Sequence, residues 1–221
     1  VVDWRSSIIR EGEAFGRERS IEIDWNAFAV AWRAKYQPAM QRVRAGEIGF
    51  VKLDLLHRQN LDAVLEEFGL GDLDEAARRY LNLIWHRLQP WPDAVEGLTR
   101  LKRRYIIATL SNGNVRLMLD MAKHAGLPWD MILGAEVAQA YKPQPDAYLR
   151  SIGFLDLAPE QCLMVAAHNS DLVAAGKCGL RTAFVPRPTE YGPEQDYDRQ
   201  PKNPYDVVAD DFLDLADKLG C

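Results

Sequence analysis

Long apolar runs are missing from this chain of 221 residues. No stretch reaches the roughly 18 consecutive apolar residues that a membrane-spanning helix needs, so no membrane partner is expected. Cysteine is scarce: Cys162, Cys178 and Cys221 are scattered along the chain. None has metal-ligand spacing, and an odd count does not suggest a disulfide framework. A reducing cytoplasm is the expected setting. Positive charge is in deficit, with 27 Lys and Arg against 32 Asp and Glu and a net charge of -5. A nucleic-acid surface would usually be basic, so that partner class is not expected. The opening residues do not read as a signal peptide. No internal repeat or low-complexity tract is present. What remains is 48% hydrophobic and 27% charged, an ordinary globular composition. The length suits one large domain, or a core carrying a smaller insertion.

Taken in order, the first part of the chain reads as helical. Ser6 or Ser7 offers a cap for a helix from Ile8 to about Arg19. A second helix spans Trp25 to Val43, with Phe28, Trp32 and Tyr36 on one face and Pro38 as a kink or a new start. A third spans Asp54 to Phe68, with Leu61, Val64 and Leu65 in its apolar stripe and Gly69 as a stop signal. A fourth spans Asp74 to Arg87, and no strand is evident before about residue 104. Pro90-Trp91-Pro92 breaks the pattern. After it, strands at 105–110, 131–135, 162–167, 182–185 and 207–209 alternate with helices. That alternation implies a parallel sheet with right-handed crossovers. Residues 187–204 read as a long ordered loop.

Three loops carry chemistry-bearing residues after successive strands. Ser111-Asn112-Gly113-Asn114 offers a hydroxyl and amides at the head of a helix. Tyr141-Lys142-Pro143-Gln144-Pro145 stiffens a lysine between prolines. His168-Asn169-Ser170-Asp171 joins an apolar strand to a small-residue helix. Each also has a plain reading, as a turn, a solvated lysine or a helix cap. In an open α/β sheet all three converge on the carboxyl edge, where ligands bind.

These motifs resemble the haloacid dehalogenase superfamily, and most closely its L-2-haloacid dehalogenases. Ala108-Thr-Leu-Ser-Asn-Gly-Asn114 is similar to the second motif of that family, and Tyr141-Lys-Pro-Gln-Pro-Asp-Ala-Tyr148 to the third. The loop ending in Asp171 is similar to the fourth, and Ala31-Trp-Arg33-Ala-Lys35 to the arginine segment of the helical cap. The resemblance covers essentially the whole chain. It implies a doubly wound, Rossmann-like α/β core formed by residues 1–7 and 91–221, with an inserted helical cap at residues 8–90. It implies hydrolysis of the carbon–halide bond of a short 2-haloalkanoic acid through an aspartyl ester, giving a 2-hydroxy acid and halide. No metal or cofactor is called for, and a homodimer is expected.

The resemblance also distributes roles. Arg33 would receive the departing halide, with Asn112 as a second donor, and Ser111 would bind the substrate carboxylate. Lys142 would hold the nucleophile ionised, Tyr148 would support the pocket, and Asp171 would orient Lys142 or position water. Asn169 is also assigned to the substrate or halide site. His168 stands where relatives often carry asparagine, and a histidine there could act as the base toward water. The halide-facing aromatic of some relatives falls at Ser170.

Val1-Val2-Asp3-Trp4 resembles the segment immediately after the family's first motif, which places the nucleophilic aspartate and the central strand just before Val1. A core without that strand would carry two unpaired edges. Two other readings stand beside this one. A magnesium phosphatase of the same superfamily is disfavoured by Ala166 and Ala167, which occupy positions where phosphatases carry metal-binding oxygens. A non-catalytic ligand-binding member would keep the fold and the anion site.

Overall fold

The computed structural model describes residues 1–221 and has an α/β architecture. A short strand β1, Val2–Asp3, leads directly into helix α1, Trp4–Arg19. Asp3, not Ser6 or Ser7, caps α1 by accepting from the Ser6 amide at 3.0 Å. The helix therefore starts earlier than its hydrophobic periodicity suggests. Ser7 lies buried inside it, and its hydroxyl accepts from the Gln89 amide at 2.9 Å.

The expected second helix is divided into α2, Trp25–Ala34, and α3, Tyr36–Arg44. Pro38 sits in the first turn of α3, where its missing N–H leaves no bond unmade. Helix α4 runs Leu53–Glu67, and α5 runs Glu75–Asn82 before tightening into a 3₁₀ turn at Leu83–Arg87. Asp24 and Asp74 cap α2 and α5 at 2.9 and 2.8 Å. Strand β2, Gln89–Pro90, then pairs antiparallel with β1. Alternation rules cannot detect this ladder, because each partner is only two residues long.

The remaining elements alternate: α6 Ala94–Lys102, β3 Ala108–Ser111, α7 Val115–Ala125, β4 Met131–Gly134, α8 Ala135–Ala138 and α9 Pro145–Gly153. Then come β5 Leu163–Ala166, α10 Asn169–Lys177, β6 Arg181–Phe184, β7 Val207–Val208 and α11 Phe212–Lys218. Strands β3 and β4 pair in parallel, as do β5, β6 and β7. The two ladders are not hydrogen-bonded to each other. Between them lies a cavity of about 1240 Å³, lined by residues 107–111 on one side and 162–168 on the other. Each of β3 and β5 thus leaves one edge unpaired.

The helical layer is built on aromatics. Phe15, Trp25, Phe28, Trp32 and Trp85 are buried in one cluster with Leu61, Val64 and Leu65 of α4. The same cluster takes in Leu117, Met118 and Met121 of α7, so apolar burial joins the helical layer to the α/β layer. Trp25 packs close against α1 because Gly16 leaves room: a Cβ there would meet Trp25 Nε1 at 2.8 Å. A second cluster packs α6 and α11 beside Ala183 and Val185, and a third packs Tyr148, Leu172 and Phe184 around β5 and α10. No helix is long and apolar enough to cross a membrane.

Candidate active site

The three loops converge on the cavity. Its lining includes Ser111, Lys142, His168 and Asp171 from the α/β layer and Arg33 from α2. At the end of β3, the Ser111 hydroxyl accepts from the Gly113 amide at 3.0 Å, which shapes the turn into α7. Gly134, in register with Ser111 on β4, has φ 136°; a Cβ there would strike the Ser111 carbonyl.

Lys142 is held on both sides. Its amide donates to Asn112 Oδ1 at 2.9 Å, and its carbonyl accepts from Arg44 at 3.0 Å. Its ammonium lies 2.5 Å from Asp171 Oδ2. The other oxygen of Asp171 accepts from the Tyr148 hydroxyl at 2.6 Å. Burial, followed by the adjacent carboxylate, pushes the Tyr148 phenol up from its ordinary value, so it stays a donor. Both oxygens of Asp171 are thereby occupied within the protein.

Arg33 is a cation with no carboxylate partner. Its guanidinium stacks over Tyr36 at 4.1 Å, lies 5.5 Å from the Trp4 ring, and donates to the Tyr191 hydroxyl at 3.3 Å. A half-buried guanidinium boxed by aromatic rings retains unused donors for an anion.

His168 Nε2 lies 2.9 Å from Glu190 Oε2. Burial opposes charge on this imidazole, but the bond to Glu190 and its negative charge outweigh burial and raise the pKa. Burial likewise opposes charge on Glu190, and His168 holds it below the usual carboxylate value. Glu190 and Tyr191 belong to the 187–204 loop, in which the sequence marks no site residue. Isolated loop residues give no periodic signal, and only the fold brings Glu190 to the cavity and Tyr191 to Arg33. The loop is fastened by Arg187, which grips Asp93 through two bonds of 2.8 and 2.7 Å.

Not every expected residue faces the cavity. Asn169 is buried away from it: its amide donates to Asp198 and Gln200, and its oxygen accepts from Lys202 and Tyr205. Its polar capacity goes into anchoring the 187–204 loop and the adjoining Tyr205, which leaves none for a ligand. Tyr148 acts from beneath, through Asp171, and the Asn112 oxygen braces Lys142. Asn114 has a role that its motif position does not reveal. It ties α4 to this edge, accepting from the Asp54 amide at 3.1 Å and donating to the Asp54 carboxylate at 2.8 Å. At the end of β5, Ala166 and Ala167 present no oxygen-bearing side chain.

The pattern of the haloacid dehalogenase-like hydrolase family matches residues 4–179, and the chain belongs to that family. A solved defluorinating L-2-haloacid dehalogenase is 48% identical and superposes with a TM-score of 0.98, covering 100% of this chain and 91% of that one. A second solved L-2-haloacid dehalogenase is 49% identical with a TM-score of 0.96, covering 99% of this chain and 93% of that one. The (S)-2-haloacid dehalogenase 1 of Pseudomonas sp. (strain CBS-3) is 32% identical over 142 residues, 62% of this chain and 62% of that relative. The chain thus matches less than two thirds of that relative's length.

Proposed function

We propose that the chain is a hydrolytic (S)-2-haloacid dehalogenase, acting in the cytoplasm as a homodimer, with residues 8–90 as a cap over the α/β core. The observation that carries this reading is Arg33, an unpaired cation in an aromatic box on the same cavity as Ser111 and the Lys142–Asp171 pair. An anion site opposite a fixed lysine suits a reaction that expels halide from a carboxylate-bearing substrate.

In this reading the nucleophile is an aspartate on a strand filling the slot between β3 and β5. The two unpaired edges lining that slot support it. The carboxylate oxygen bonds to C2 of the substrate, and the C–X pair leaves as halide toward Arg33. Ser111 holds the substrate carboxylate. Water then attacks the ester carbonyl, giving a proton to His168. The tetrahedral intermediate collapses, its bond to the substrate oxygen breaks, and that oxygen takes the proton back from His168 to leave as the 2-hydroxy acid, while the restored aspartic acid loses its proton to solvent. Glu190 stabilises the imidazolium formed in that step.

The magnesium-phosphatase alternative is less well supported. The segment that follows β5 offers one carboxylate, Asp171, and Lys142 and Tyr148 take both of its oxygens; Glu190, across from it, is held by His168. The test is halide release by the full-length protein from each enantiomer of 2-chloropropionate, with EDTA present. Release from the S enantiomer is expected; release of phosphate from phosphomonoesters only with magnesium, and no halide, would overturn the reading.

A further inference from the structure

The proposed reaction leaves one buried histidine unused. His57, on α4, is 2% exposed and lines the same cavity as Arg33. Neither of its ring nitrogens has a hydrogen-bond partner, and both are shielded from solvent. Its backbone is fixed, since the Trp32 indole donates to the His57 carbonyl at 3.0 Å. Its ring lies 4.3 Å from that of Trp85 and 5.9 Å from that of Tyr36. Tyr36 is also the ring on which Arg33 stacks, so imidazole and guanidinium flank one aromatic. The Trp85 indole N–H, on the same cavity, is unpartnered too.

Buried donors without partners are costly, and native proteins rarely keep them for packing alone. A phenylalanine would fill an aromatic wall without that cost. Burial, with the nearby Arg33 charge contributing, keeps this imidazole neutral, with its pKa lowered to about 3. A neutral imidazole presents one N–H and one lone pair at any physiological pH, so it can donate without adding charge.

We infer that His57 is a halide-contacting, specificity-determining residue, which donates with Arg33 to the halogen as it departs. The inference rests on the dehalogenase reading. The smaller the halide, the more concentrated its charge and the stronger the hydrogen bond it accepts. Removing the donor therefore weakens fluoride release more than bromide release.

The experiment compares kcat/KM for fluoroacetate and bromoacetate in the full-length protein and its His57→Phe variant. It also measures broadening of the chloride-35 resonance by each protein without substrate. A hydrogen bond to a charged acceptor predicts a loss of about 10- to 100-fold for fluoride release in His57→Phe. A smaller loss is expected for bromide, with reduced chloride broadening. His57→Asn or His57→Gln, which return an N–H near one ring nitrogen or the other, should recover part of the fluoride rate. Should Phe disturb packing on Trp85, His57→Met serves as a second donor-free variant. An unchanged fluoride-to-bromide ratio in folded donor-free variants overturns the inference while leaving the reaction intact. Wild-type protein that releases no halide removes the reaction instead. Chloride broadening then decides the point alone: loss in His57→Phe supports a halide site, and equal broadening rejects it.

Discussion

The Lys142 ammonium and the Asp171 carboxylate meet at 2.5 Å, and Tyr148 donates to the carboxylate's other oxygen. This three-residue unit joins the loop that carries Lys142 to helices α9 and α10. Tyr148→Phe removes one donor while keeping the ring, which is fully buried. The expected cost is about 1 kcal/mol of stability, the usual net worth of one hydrogen bond. Because Lys142 then loses part of its alignment, kcat should fall while KM stays near the wild-type value. Steady-state kinetics and denaturant unfolding check both, and an unaltered kcat would remove Tyr148 from the positioning of Lys142.

His168→Ala should stop the reaction after the first step. The ester would persist, adding the mass of the substrate's carboxyalkyl fragment to the intact protein. Mass spectrometry during turnover reads it directly. Full turnover in this variant would show that water is activated elsewhere.

The Glu190 bond raises the His168 pKa above the ordinary 6.5. Only the neutral imidazole accepts a proton, so ester hydrolysis should rise with pH through a value above 6.5. Glu190→Gln removes the carboxylate, so the rising limb moves to lower pH and the plateau rate falls. Single-turnover rates across pH test this; a limb that does not move would separate Glu190 from the base.

His86 bridges the helical and α/β layers, lying 3.0 Å from Asp54 on α4 and 2.9 Å from Asp120 on α7. Burial opposes its charge, but the two carboxylates outweigh burial and raise its pKa. A group whose folded pKa is raised stabilises fully below its unfolded value, here about 6.5, and loses that contribution as pH climbs through the folded value. The Tm difference between wild type and His86→Gln should therefore be largest below pH 6.5 and shrink as the pH rises above it. A constant difference across that range would mean that His86 is neutral throughout.

Arg187 and Asp93 form a two-bond pair whose side chains are each 10% exposed. Asp93 also accepts from the Phe212 amide at 2.8 Å. Arg187→Ala strands a buried carboxylate and should cost about 3–5 kcal/mol. It also loosens the loop that carries Glu190 and Tyr191. Thermal unfolding gives the first effect, and a drop in kcat/KM gives the second.

Much of this protein was decided by sequence alone. Strand and helix alternation after Pro92 specified a parallel α/β layer, because buried parallel strands must be short apolar runs separated by helices. The three polar loops were legible because each follows such a strand. Lys142, Ser111 and Asp171 stood out as chemistry-bearing residues at strand ends, and Arg33 through its motif. Local rules were weaker at boundaries, where a carboxylate such as Asp3 could displace Ser6 as cap. Tertiary structure decided the rest. It gave the Asn169 amide to the 187–204 loop, since a buried amide takes whichever partners surround it. It set Glu190 against His168 and His57 beside the Arg33 box, pairings of residues 22 and 24 positions apart that no periodicity encodes. Such contacts arise only when separate elements pack, so the partners of a charge are properties of the fold and not of the residue.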